Sequence, residues 1–514
     1  MIIPIPSELK NTKSSALING NITICGPKAI SNTLIKLKDF IERNSQIKTS
    51  IETEFSSDNQ ECISFIKTEI ESGNDEAYQL SIASDVVKAY YQTQRGAYYA
   101  VQTLKQIIYQ SERDESGICL PGLEIKDEPR FKWRGFMLDD CRHFHGKQTV
   151  KRMLDIMALL KMNVFHWHLT EDQGWRIEIE KYPKLTSIGS KRADTQLKHS
   201  RSKNFRGEAH SGYYTKDDVA EILDYAKQRF IRVIPEIEIP GHSQAAIASY
   251  PELGCSGEKV EVATTFGIKD IVYCPGKEHT FEFWHDVLDE VMDMFPSEII
   301  HIGGDEVPKR RWKECPNCQA KIKTENLDDE EDLQVFVTNS IASYLASHGR
   351  RLMGWNEILD EGLESNAICH YWAHDEDEVI SHIKDGRDTV VSKSQFTYLN
   401  SSYRRMPLED VYKFDPMLKG LNEKDMEHIL GIESPCWTEW IPDRNTLEFQ
   451  VFPRLLAIAE TSWSPKSKKN YTDFKNRLKR FEKILDQLNI SYADEDARDT
   501  SMLGKIRRFV RKIF

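Results

Sequence analysis

The stretch EIIHIGGDEV (298–307) decides how this sequence folds. Its front part, EIIHIGG (298–304), is an apolar run of strand length, and it stops on two glycines followed at once by two carboxylates, Asp305 and Glu306. Near-continuous apolar strands belong to sheets covered on both faces, and in a parallel α/β barrel the chemistry collects at the C-terminal strand ends. Upstream of it, FEFWHDVLDEVMDMF (281–295) has helical spacing, IRVIPEIEIP (231–240) is another buried run, and TKDDVAEILDYAKQRF (215–230) is a helix with Thr215 as N-cap and Asp218 three residues on. Further back come MNVFHWHL (162–169), a helix through Val150, Met153, Leu154, Met157 and Leu160, and RGFMLD (134–139). Downstream, RLMGW (351–355), AICHYW (367–372), DTVVSKS (388–394) and HILGIES (428–434) continue the cycle. Strand-like runs alternating with helices predict a (β/α)₈ barrel, of the TIM type, over residues 128–465.

The flanks read differently. All ten tryptophans lie at or beyond Trp133, and PGLEIKDEPRFKW (121–133) carries two prolines and alternating charge, which puts a boundary near 121–132. Before it, EAYQLSIAS (76–84) alternates like a strand and RGAYYAVQTLKQIIYQ (95–110) is a helix with Tyr98, Val101, Leu104 or Lys105, and Ile108 on one face. Residues 1–127 therefore read as a small α/β domain, and 466–514 as a charged, helical C-terminal extension ending in KIRRFVRKIF (505–514), a solvated helix end.

Composition narrows the classes. A formal net charge of −12 argues against nucleic-acid or anionic-membrane partners, which reward a basic surface. No apolar run reaches the ~20 residues of a membrane span. The start, MIIPIPSELKNTKSS, has no basic residues leading into an apolar stretch, so no signal peptide is expected in it; a chain that had lost one would read the same, and both cytoplasmic and extracytoplasmic locations stay open. Ten cysteines are spread from Cys25 to Cys436. Cys315 and Cys318 form one CxxC with no second pair at matching spacing, so it reads as a local turn or a disulfide rather than a metal site.

Each apolar run leads directly into chemistry: DDCRHF, HLTEDQGW, PGHS, GGDEV, Trp355, Trp372, then Tyr398 with Asn400, then CWTEW. Asp140, Arg142 and His143 read equally as an ion pair or as a substrate grip. His166 and His168, two apart on a strand, share a side, which suits metal ligands but more often marks buried hydrogen-bonded histidines. Tryptophans at strand ends suit a sugar, whose apolar face stacks on an aromatic ring. The adjacent Asp305–Glu306 pair is the most informative feature. In extended chain the two side chains would point to opposite sides, so they would not make the usual pincer of acid and nucleophile across a glycosidic bond. Gly303 and Gly304 would let the backbone approach a ligand closely.

Together, RGFMLDDCRHF (134–144), MNVFHWHLTEDQGWR (162–176), EIEIPGHSQA (236–245), HIGGDEV (301–307) and SPCWTEW (434–440) resemble glycoside hydrolase family 20 from about residue 128 to 465, and RGAYYAVQTL resembles that family's small N-terminal domain. The resemblance implies an exo-β-N-acetylhexosaminidase that removes terminal N-acetylglucosamine or N-acetylgalactosamine by a retaining, substrate-assisted route. It implies Glu306 as general acid and base, Asp305 as the group that orients the acetamide, and Tyr398 on the acetamide carbonyl. It further implies Arg142 and Glu439 on the far hydroxyls, Trp355, Trp372 and Trp437 as pocket walls, and Glu171 and His242 in support of the acid. No cofactor and no metal are implied. Glu171 stands where many members have Asp, Glu238 likewise in the PGH motif, and Asn400 where some carry Asp. Three rival readings stand beside this one: a metal-dependent hydrolase using His166, His168, His301 and Asp305, a disaccharide-releasing relative, and a silent sugar binder.

Overall fold

Eight parallel strands close into a barrel: β1 (Trp133–Asp139), β2 (Val164–His168), β3 (Arg232–Glu236), β4 (Ile299–His301), β5 (Arg351–Trp355), β6 (Ile368–Tyr371), β7 (Thr389–Val391) and β8 (Ile429–Cys436). The structure is a computed structural model that describes residues 2–45, 47–53, 62–114, 117–359, 362–363 and 365–498. The (β/α)₈ expectation holds. β1 and β2 are buried at every position, as strands covered on both faces must be. One side chain from each strand (Trp133, Val164, Ile234, Ile299, Met353, Ile368, Val390 and the partly buried Leu430) forms a separate apolar cluster. The barrel is thus a packed core and not a pore. Registers bring His168 beside Asp139 on one side and Glu236 on the other, and Glu236 beside His301.

The predicted helices are present, with Lys216–Lys227 closed by a full capping box between Thr215 and Asp218. Such a cap contributes about 1 kcal/mol. The helical layer is uneven: between β5 and β6 the described residues hold only a 3₁₀ turn, Asn356–Leu359. Strand β4 is shorter than the EIIHIGG run, because Gly303 and Gly304 take φ of 68° and 89° and turn the chain.

The N-terminal region forms an eight-stranded sheet on which Gln94–Gln110 packs. The strand Tyr78–Ala83 alternates as expected. The helix does not show one buried face; it is buried nearly all round, because the first barrel helix and the C-terminal helix Tyr471–Gln487 pack on its other sides. The stretch 121–127 belongs to the strand Gly117–Asp127, with Pro121 at a register shift where no ladder donor is needed. A buried cluster seals this region to the barrel: Lys161 Nζ lies 2.7 Å from Asp127 Oδ2, which also accepts from Tyr78, while Trp463 donates to Asp127 Oδ1. Beyond 466, Tyr471–Gln487 buries Phe474, Leu478, Phe481, Ile484 and Leu485. The segment KIRRFVRKIF (505–514) lies outside the described residues. Among the described residues no helix is long and apolar enough to cross a membrane.

Candidate active site

Glu171, Asp305 and Glu306 meet around His242 at the C-terminal end of the barrel, and Arg142 joins them through Glu171. The His242 Nδ1 lies 2.8 Å from Glu171 Oε1 and 3.4 Å from Asp172 Oδ2, and its Nε2 lies 3.6 Å from both Asp305 Oδ2 and Glu306 Oε2. The adjacent carboxylates therefore do not point to opposite sides. Glu306 has φ of 51°, so the chain is not extended there and both acids reach one imidazole. A non-glycine residue in that region is strained, and such strain gathers where a side chain must be aimed. The glycines ahead of the pair have another reason than a ligand. A Cβ on Gly303 would sit 1.9 Å from Glu238 Oε2, and one on Gly304 would sit 2.6 Å from Ile358.

The electrostatics separate the acids. Partial burial, and then the charge of Asp305, push the Glu306 carboxyl upward, with His242 pulling the other way. Burial and Asp305 likewise drive Glu238 well up. Glu171 is held well below the usual carboxylate range: burial opposes this, but Arg142 and His242 prevail.

Arg142 Nη2 lies 2.9 Å from Glu171 Oε2 and Nη1 lies 3.5 Å from Asp139 Oδ2, and the guanidinium sits 4.8 Å from the Trp437 ring centroid. Asp139 in turn accepts from the Arg142, Cys141 and Thr438 amides, tying the ends of β1 and β8 together. Asp140 and His143 are structural: Asp140 accepts from Trp167 and Tyr214, and His143 binds the Thr438 backbone. Tyr398 stacks on Trp372 with centroids 6.0 Å apart, and Trp437 lies 6.3 Å from Tyr398. Trp355 is 1% exposed, stacks on His370 at 4.1 Å and donates to Glu236, so it is floor more than wall. Asp305 Oδ1, Asn400 Oδ1 and Glu439 Oε2 are buried and, among the described residues, have no hydrogen-bond partner. Three unpaired acceptors from three strand ends match a ligand rich in O–H and N–H donors.

Beneath this lies a buried polar layer, of which the sequence pattern suggests the histidines but not their carboxylate partners. His166 is 2.6 Å from Glu433 and 2.9 Å from Glu236, His168 is 2.6 Å from Glu236, and His301 is 2.9 Å from Glu236. Burial opposes charging His166, yet Glu433 and Glu236 push it up to about 10. The same contest takes His168 up to about 9. His166, His168 and His301 are thus each in contact with a buried carboxylate. Two further acids join the site without having been expected there. Asp172 caps Gln244 and faces His242. Glu357 accepts from the Trp372 indole, and burial and Asp305 raise it to about 7. Both had a signal: Asp172 adjoins Glu171, and Glu357 follows Trp355 by two.

The CxxC reading needs correction. Cys315 and Cys318 do not stand alone: Cys255 and Cys274 join them, and the four sulfurs lie within 4.8 Å of one another. No spacing rule exposes this, because loops after β3 and β4 bring the four together.

Two family models match. "Glycosyl hydrolase family 20, catalytic domain" matches residues 131–466, and "Glycosyl hydrolase family 20, domain 2" matches residues 1–128. The chain is 37% identical over 508 residues to a beta-hexosaminidase of Porphyromonas gingivalis, covering 96% of this chain and 64% of that protein. It is 35% identical over 399 residues to a beta-hexosaminidase of Vibrio furnissii, covering 74% of this chain and 64% of that one. The chain thus spans just under two thirds of the length of these relatives. Among solved structures, an exo-β-N-acetylglucosaminidase of Vibrio harveyi in complex with N-acetylglucosamine superimposes with a TM-score of 0.84 at 29% identity, over 96% of this chain and 78% of that one. A β-N-acetylhexosaminidase of Bacteroides fragilis gives 0.82 at 31% identity, over 96% and 97%.

Proposed function

The chain belongs to glycosyl hydrolase family 20, and from that premise we propose that it is an exo-acting β-N-acetylhexosaminidase of the retaining, substrate-assisted type. The observation that carries this reading is the convergence of Asp305 and Glu306 on His242 Nε2, at 3.6 Å each, with Glu306 raised and partly exposed. A carboxyl shifted in this direction keeps its proton to higher pH than an ordinary glutamate, which is the direction a general acid requires.

Glu306 gives its proton to the glycosidic oxygen while the substrate's acetamido carbonyl oxygen attacks the anomeric carbon. The C–O bond to the aglycone breaks and an oxazolinium ring forms. Glu306, now a carboxylate, takes a proton from the water that attacks the same carbon and reopens the ring, so the β configuration is retained. Asp305 accepts from the acetamide N–H and stabilises the positive charge that develops there. Its unpaired Oδ1 supports this role. An internal nucleophile needs no further entropy to be placed. Tyr398 donates to the acetamide oxygen. Trp372 and Trp437 hold the ring, Trp355 closes the floor, and Arg142, Glu439 and Asn400 take the outer hydroxyls. Glu171 and His242 fix Glu306. The family relative that binds N-acetylglucosamine supports a terminal N-acetylhexosamine as the group released.

Digestion of a β-linked amino-sugar oligosaccharide followed by proton NMR tests this. The expected result is stepwise loss of single residues from the non-reducing end, with the β-anomer appearing first. Release of disaccharides, or of α-anomer first, would contradict it.

A further inference from the structure

We propose that Cys255, Cys274, Cys315 and Cys318 bind one zinc ion in a four-sulfur structural site. The sulfur separations are 3.9 Å for Cys255–Cys318, 3.6 Å for Cys274–Cys315 and 3.6 Å for Cys274–Cys318. A tetrahedral zinc with Zn–S bonds of about 2.3 Å needs sulfurs about 3.8 Å apart. The remaining pairs stay within 4.8 Å. The cluster is built and largely enclosed: Cys274, Cys315 and Cys318 are buried, and Cys255 is partly so. Val272, Trp312, Ile322 and Leu333 pack around it.

The local backbone is shaped to present the sulfurs. Cys315 is the N-cap of the helix Pro316–Thr324, with Pro316 at its first position and Cys318 in its first turn. Thiolates are favoured at that end of a helix. On the other side, Gly254 and Tyr273 form a β-bridge, and the Cys274 amide donates to Leu253 O at 2.9 Å. Gly276 lies so close to the helix start that a Cβ on it would be 2.2 Å from the Asn317 carbonyl carbon. CPG (274–276) and CPNC (315–318) are thus two turns packed face to face. Binding releases the thiol protons and changes no oxidation state. Four sulfurs leave no open coordination position, so this ion takes no part in hydrolysis.

Its effect is mechanical. Cys255 and Cys274 come from the β3 loop that carries His242, and Cys315 and Cys318 from the β4 loop that carries Asp305 and Glu306. Trp312 donates to Tyr273 O at 2.8 Å, the Tyr273 amide donates to Pro240 O at 3.2 Å, and Val307 packs against the cluster. The ion would staple together the two loops that set the His242–Glu306 geometry.

The test uses the full chain, expressed with zinc in the medium and purified without chelator or metal-affinity resin. Elemental analysis by plasma mass spectrometry is expected to give about one zinc per chain. A mercurial thiol reagent should release that zinc to a colorimetric dye as four thiols are consumed. Cys274→Ser and Cys318→Ser should each lose most of the bound zinc and unfold at lower temperature. Cys119→Ser, at an exposed cysteine of the N-terminal sheet, should keep it. Wild-type protein with essentially no zinc would overturn the proposal. So would iron in its place, or alkylation and mass analysis under non-reducing conditions showing these cysteines paired as disulfides.

Discussion

His242 Nε2 lies 3.6 Å from Glu306 Oε2, while Nδ1 of the same ring lies 2.8 Å from Glu171. Burial disfavours a charged imidazole, but Glu171, Asp172 and Asp305 drive His242 well above the ordinary imidazole range. Its charge lowers Glu306 while that of Asp305 raises it. Two variants should therefore move the basic limb of kcat/KM on an amino-sugar oligosaccharide in opposite directions. Asp305→Asn should shift it to lower pH and His242→Asn to higher pH. Shifts of the same sign would exclude Glu306 as the titrating acid.

Glu306→Gln should depend on the leaving group. A general acid contributes about 10²–10⁴-fold. Turnover of a natural-type oligosaccharide should fall by that order, while a nitrophenyl glycoside, whose leaving group needs little protonation, should lose far less in its first step. Equal losses would argue against the assignment.

Lys161 and Asp127 are both fully buried at the junction between the N-terminal sheet and the barrel. Removing one partner of a buried ion pair leaves the other charge uncompensated, at a cost of about 3–5 kcal/mol. Lys161→Ala should lower the midpoint of urea unfolding accordingly and leave kcat of the folded enzyme unchanged. A change below about 1 kcal/mol would mean that water reaches the site and solvates Asp127.

His166 predicts a pH window for stability. Its folded value is about 10, against an ordinary value of 6.5. Between these the folded state holds a proton that the unfolded chain has released. The stabilisation is therefore complete below about 6.5 and disappears as pH rises towards 10. Melting temperatures of wild type should decline across that range more steeply than those of His166→Gln. Parallel curves would show His166 neutral in the folded protein.

The residues that read most clearly are those whose signal is local. Asp305 and Glu306 end an apolar run, and Thr215 with Asp218 sits at a helix start, so each carries its context within a few positions. Glu236 and Glu433 are silent in the sequence because an acid inside a buried strand shows its purpose only through register, when His166 and His301 come alongside. Cys255 and Cys274 share no spacing rule with Cys315 and Cys318, and only loop packing unites them. The relative direction of Asp305 and Glu306 differs from expectation for a similar reason. The expectation assumes extended chain, whereas Glu306 adopts a φ of 51°, which nothing in the residue pattern announces.

The central claim is that the substrate's own acetamide is the nucleophile. The most direct measurement is the hydrolysis rate of a nitrophenyl N-acetyl-β-glucosaminide beside that of the matching β-glucoside, which lacks the acetamide. Rapid cleavage of the first and negligible cleavage of the second is the predicted result. Comparable rates on both would mean that the protein supplies the nucleophile itself, and would contradict the account.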